Sequence, residues 1–248
     1  MKILSVEQLY KAHQLTIENE NISELELIER AGLQVFNWIH SRMQGSQVKI
    51  HLFNGIGNNG AVGLSLAKHL LLHGYNVDNY VVNFSKKRTP AFLANYDKVK
   101  DLKSWPILIN SSEEFPEEIG ADDIIIDAIF GIGLNKDTGD LVNNLFKCLS
   151  QSTAFKLAID IPSGLYADKA VDLNHALKVN YTLTFHSPKL AFFLPETAVF
   201  TEQWEVLDIG LDLSSLHDEI APRLISKHEV LPLYQMREKY SNKFSYGH

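Results

Sequence analysis

A doubly wound α/β fold is what this chain of 248 residues predicts, and three observations predict it. Short runs that are apolar almost throughout recur along the chain. Stretches with helical spacing of apolar residues separate them, and glycine-rich turns follow several runs directly. Strands without polar alternation belong to a mostly parallel sheet covered by helices on both faces.

The elements follow in order. Ser5 caps a first helix with an apolar stripe of Leu9, Ala12, Leu15 and Ile17. Ser23, with Glu26 three positions on, has the pattern of a capping box. A second helix then carries Leu25, Leu27, Ile28, Ala31, Val35 and Ile39 at helical spacing. Together these two form an N-terminal helical arm. Val48 to Phe53 reads as a strand that stops in Asn54-Gly55-Ile56-Gly57-Asn58-Asn59-Gly60, and Gly63 to Leu70 as the next helix. Further strands are expected at 77–84, 107–109, 123–128, 156–161, 181–185 and 204–208, with helices at 90–99 and through Leu141, Leu145 and Leu149. Past Asp212 the apolar positions thin out. Residues 213–248 read as an extension or linker after a domain of residues 1–212.

Composition excludes several classes. A hydrophobic share of 45% with 21% charged residues is that of a globular protein, not of a disordered or fibrous one. Lys and Arg number 23 against 30 Asp and Glu, a net charge of −7, which repels nucleic acid and anionic membrane surfaces. Cys148 is the sole cysteine, so no internal disulfide or Cys-rich metal site forms, and a reducing cytoplasm is expected. The N-terminus lacks the apolar core of a signal peptide, and no apolar stretch reaches the roughly 20 residues of a membrane span.

Ligands of open parallel sheets bind beyond the carboxyl ends of the strands, where strand order reverses. Three clusters follow strands here: Gly55 to Ala61, Asp127 to Gly133, and Asp160-Ile161-Pro162-Ser163-Gly164. The first reads equally as a plain structural turn or as a loop whose N–H groups meet an anion; it is neither a dinucleotide fingerprint nor a Walker loop. Asp127 reads as a turn aspartate or as a ligand. Asn59, Asp127 and Ser163 together offer hard oxygen atoms with one carboxylate, which suits a monovalent cation better than zinc or copper. Asp160 is left as a group for acid/base work. Lys189 reads either as a surface lysine or as one that reaches a ligand phosphate. His186, just past a strand, is a minor candidate. His69 and His73, spaced four apart, read as a solvated helix face.

Gly57-Asn58-Asn59-Gly60, Asp127-Ala128-Ile129-Phe130-Gly131-Ile132-Gly133 and Ile159-Asp160-Ile161-Pro162-Ser163-Gly164 resemble, in order and spacing, the NAD(P)H-hydrate epimerase family (YjeF N-terminal domain). Leu4-Ser5-Val6-Glu7-Gln8 and Leu27-Ile28-Glu29-Arg30-Ala31-Gly32 are similar to that family's opening helices. The resemblance implies a Rossmann-like three-layer α/β/α sandwich, a homodimer, and interconversion of the R and S epimers of hydrated NADH and NADPH (NADHX and NADPHX) in nucleotide repair. It implies potassium held by Asn59, Asp127 and Ser163; the epimerisation itself needs an acid/base group, for which Asp160 is the catalytic candidate. By the resemblance, substrate contacts would come from Asn58, Asn59, Gly60, Ala61 and Val62, from Gly131, Ile132, Gly133, Leu134, Asn135, Lys136 and Asp137, and from Asp160; the residue reading adds Lys189 as a candidate contact. One departure stands out. Ala61 and Val62 replace the family's usual glycine and aspartate, which raises the alternative of a catalytically impaired nucleotide-binding or dimerisation module. Lys243-Phe244-Ser245-Tyr246-Gly247-His248 resembles the start of the ADP- or ATP-dependent dehydratase domain that often follows, so a fused or separate dehydratase is the expected partner.

Overall fold

The computed structural model describes residues 1–170, 176–216, 220–234 and 240; the Lys243–His248 segment lies outside them. Two helices open the chain, α1 (Val6–Glu20) and α2 (Glu24–Met43). Each starts at a serine in extended conformation whose side chain accepts the backbone N–H three residues on. Gln8 and Glu26 return the bond to the serine backbone, so both helices begin with complete capping boxes.

Then come β1 (Ile50–Asn54), α3 (Asn58–Leu72), β2 (Val77–Val82), α4 (Pro90–Asp101), β3 (Ile107–Ile109), β4 (Ile124–Ala128), α5 (Asp140–Gln151), β5 (Phe155–Ile159), β6 (Val179–Phe185) and β7 (Thr201–Leu207). A short helix, α6 (Lys227–Val230), lies in the C-terminal extension. The seven strands form one sheet in the order β3-β2-β1-β4-β5-β6-β7, and every neighbouring pair is parallel.

Alternation along each strand builds two cores. Leu52, Ile126 and Leu157 face the helices α2, α3 and α4, while Phe53, Ile125 and Ala158 face α5 through Val142, Leu145, Phe146 and Leu149. This is the three-layer sandwich. The chain runs outward from β1 to β3, then crosses back to start β4 on β1's other side. In open parallel sheets such a reversal marks the ligand crevice, here above the carboxyl ends of β1 and β4.

Several local readings need correction. The helix expected from Gly63 begins five residues earlier, at Asn58, so Asn58-Asn59-Gly60 is its first turn rather than the loop before it. Of His69 and His73, His73 stays exposed as a solvated face requires, whereas His69 is half-buried. Their rings pack on Phe36 of α2, with centroids 5.5 and 4.5 Å away, and His69 Nε2 lies 2.8 Å from a Glu29 carboxylate oxygen. Part of the extension rests on the body: Leu216 is buried in the main core, Ile3 N–H donates to the Pro222 carbonyl, and Met1 and Leu224 exchange backbone bonds.

Candidate functional site

The three strand-end clusters meet above β1, β4 and β5. Asp127, on β4, is paired in register with Phe53 of β1 and Ala158 of β5, so it stands between the other two loops. Glycine permits the tight approach between them. A side chain on Gly55 would collide with the Ile129 carbonyl, and one on Gly60 with the Gly55 carbonyl.

Asp127 is almost fully buried (1% exposed) and accepts three hydrogen bonds. Ile129 N–H (3.1 Å) and Ser163 Oγ (2.6 Å) donate to its Oδ1, and Ser163 N–H (2.8 Å) donates to Oδ2. Burial nevertheless pushes its pKa up to about 6, against the lowering effect of those donors. The Phe130 peptide links this aspartate to the glycine loop. Its N–H donates to Ser163 Oγ (2.8 Å), and its carbonyl accepts from Asn59 Nδ2 (2.8 Å), which also donates to the Ile159 carbonyl (3.2 Å). Asn59, Asp127 and Ser163 therefore belong to one connected network of oxygen-rich groups. Among the described residues, no cluster of three or more His, Cys, Asp or Glu side chains could hold a metal ion, so the oxygen donors of this network are amide, hydroxyl, carboxylate and peptide groups.

Asp160 follows β5 directly and adopts a positive φ of 70°, uncommon outside glycine but one that aspartate tolerates better than most side chains. The turn is held by its N–H donating to the Leu183 carbonyl (2.7 Å). Its Oδ2 accepts the Ile132 N–H (3.2 Å), and its Oδ1 is paired with Lys189 Nζ at 3.1 Å. Lys189 is neither a surface lysine nor free to reach out to a phosphate. It is 1% exposed, and its ammonium also donates to Thr184 Oγ1 and to the carbonyls of Phe185 and Ser187. From this place it holds the Asp160 carboxylate.

The first turn of α3 has a free electrostatic end. Gly57 gives it no side-chain cap, and the Asn58 side chain reaches back to Glu24 (2.7 Å). No side chain caps the opening N–H groups of the helix, and uncapped helix starts are suited to anions. Ala61 and Val62 are buried in the α2–α3 core, at 0% and 6% exposure. In the β4–α5 loop, Gly131 lies against Asn59 and Asp160, whereas Asn135, Lys136 and Asp137 are exposed further out.

Sequence reading passed over α1 as a contributor. Tyr10 brings its hydroxyl against Gly133, and His13 stands edge-on to Tyr10, ring centroids 6.3 Å apart. Burial lowers the His13 imidazole, opposed by the charge of Asp160 and reinforced by Lys189 and His186. Desolvation and then the charges of Asp160 and Glu24 raise the Tyr10 phenol. An aromatic and a histidine on the polar side of an N-terminal helix were the only signals available.

A family model described as YjeF-related protein N-terminus matches residues 24–191. The bifunctional NAD(P)H-hydrate repair enzyme Nnr of Coxiella burnetii is 31% identical over 97% of this chain and 48% of its own length. The NAD(P)H-hydrate epimerase of Anaerococcus prevotii is 29% identical over 85% of this chain and 96% of its own. This chain thus spans about half of the bifunctional relative and nearly all of the epimerase. A crystal structure of the yeast protein ynu0, YNL200c, superposes with a TM-score of 0.63 at 20% identity, covering 76% of this chain and 82% of that one, and bears on the fold alone.

Proposed function

The chain belongs to the YjeF-related protein N-terminus family, and on that premise we propose that it epimerises the hydrated forms of NADH and NADPH. The observation that carries this reading is Asp160. A nearly buried carboxylate, fixed by one backbone N–H and one ammonium, stands where the loops after β1, β4 and β5 converge.

The substrate's hydroxyl sits on a carbon bonded to the ring nitrogen. Proton delivery to that oxygen lets water leave, as the nitrogen lone pair forms an iminium. Asp160 donates this proton; the water that adds to the opposite face, inverting the centre, releases its proton to bulk water, from which Asp160 regains one. Lys189 and the Ile132 N–H keep the carboxylate aimed throughout. The uncapped first turn of α3 receives the pyrophosphate.

The donor set around Asp127 fits potassium. It contains one carboxylate, whose ionisation burial opposes, together with the hydroxyl of Ser163, the amide of Asn59 and nearby peptide carbonyls. A potassium ion there would offset the buried charge of Asp127 and tie the three loops together. The same reading takes the working form as a cytoplasmic homodimer whose product passes to a dehydratase, fused or separate; the relative named as a bifunctional repair enzyme supports that pairing.

Removal of the R epimer, coupled to a dehydratase specific for the S epimer, tests the proposal. The chain should exceed the spontaneous rate, and Asp160→Asn should lose about a hundredfold or more in kcat. A wild-type rate equal to the uncatalysed one sinks the reading.

A further inference from the structure

The β2–α4 connection carries Ser85-Lys86-Lys87-Arg88, three successive cations in a chain of net charge −7. It lies at the same edge of the sheet as the crevice. Thr89 N–H donates to the Ile56 carbonyl of the glycine loop (3.2 Å), and the Phe84 ring packs on Phe130 of the β4 loop, centroids 4.9 Å apart. The Arg88 guanidinium donates to Asn83 Oδ1 (2.8 Å), and Asn83 in turn donates to Asn110 Oδ1 (2.7 Å) at the end of β3. Lys86 and Lys87 are exposed. Among the described residues no carboxylate is within ion-pair distance of Lys86, Lys87 or Arg88. Glu114, which reaches Asn110, is taken up by the backbone N–H groups of Asn110 and Ser111.

In dinucleotide-binding sheets, a pyrophosphate at the start of the helix after the first strand puts the adenosine ribose over the end of the next strand, which in the order β3-β2-β1-β4 is β2. An acid at that point would bind a free 2′-hydroxyl and repel a phosphate; this chain has amide, hydroxyl and three cations there instead. We propose that Lys86, Lys87 and Arg88 form a subsite for a phosphate on the adenosine ribose, so that the site prefers the phosphorylated dinucleotide, NADPHX, to NADHX. The inference rests on the epimerase reading for its substrate, but the subsite itself is tested without turnover.

Adenosine 2′,5′-bisphosphate and adenosine 5′-monophosphate differ only in the phosphate at issue. By calorimetry on the full chain, the bisphosphate should bind about tenfold or more tightly. Lys86→Gln with Lys87→Gln, both at exposed positions, should cut that preference by about threefold or more, and adding Arg88→Gln should bring the ratio to within about twofold of one. Equal affinities in the unsubstituted protein, a preference that survives the triple substitution, or no binding of either nucleotide each overturns the subsite. The kcat/KM ratio for NADPHX over NADHX should follow the same order. If the bisphosphate preference holds while no epimerisation is detected, the subsite stands and the reaction reading falls.

Discussion

Lys189 and Asp160 make an ion pair at a depth where neither charge is at ease alone, at 1% and 7% exposure. Replacing Lys189 with Met leaves the carboxylate without its cation, which should cost about 3 to 5 kcal/mol in urea unfolding and abolish most activity. Combined with Asp160→Asn, the same change should cost less than the two losses added, because the amide needs no counter-charge. Strict additivity would show that the pair is not a unit. The sequence carried Asp160 plainly, as a carboxylate just past an apolar strand. It did not carry the burial of Lys189, because that depends on Thr184, Phe185 and Ser187 folding back around the ammonium, an arrangement that periodicity does not report. Tyr10 and His13 were hidden for a related reason: the apolar stripe of α1 explains Leu9 and Ala12 and is silent about what the polar side meets.

Helix α3 shows how the placement of an element changes the meaning of a residue. Read as loop, Ala61 and Val62 stand in for groups that touch substrate; read as the first turn of a helix, they are core. The boundary was missed because Asn58-Asn59-Gly60 has the composition of a turn, while the helix starts there under tertiary constraint, with Gly60 pressed on the Gly55 carbonyl. The apolar Val62 therefore contributes packing to the α2–α3 contact, and its presence gives no support to an impaired module. Val62→Asp should bury an unpaired carboxylate and lower stability by about 3 kcal/mol, read from the denaturation midpoint. A variant as stable as the parent would place the position 62 side chain in the crevice instead. The strands themselves were legible throughout, since apolar runs such as Ile124-Ile125-Ile126 admit little else in a sheet covered on both faces.

At the scale of the whole molecule, the crevice is held by groups that far-separated segments contribute, and Asp127 makes their union depend on pH. Its folded pKa of about 6 lies above the 3.8 of an ordinary aspartate. The folded state therefore holds the proton more tightly than the unfolded chain does. This contribution is complete below about pH 4 and is lost as pH rises through about 6, a change on the order of 3 kcal/mol. A cation bound beside the ionised carboxylate reverses that loss. Potassium should accordingly raise the melting temperature at pH 8, where Asp127 is ionised, and do little at pH 5, where it is protonated. Choline chloride at equal ionic strength controls for screening. Asp127→Asn should remove both the potassium-dependent gain and the fall in stability between pH 4 and about pH 6 to 7. An equal gain from choline, or a potassium effect indifferent to pH, would mean that the buried carboxylate is not where the ion binds. The three loops would then be held by their hydrogen bonds through Phe130 and Ser163 alone.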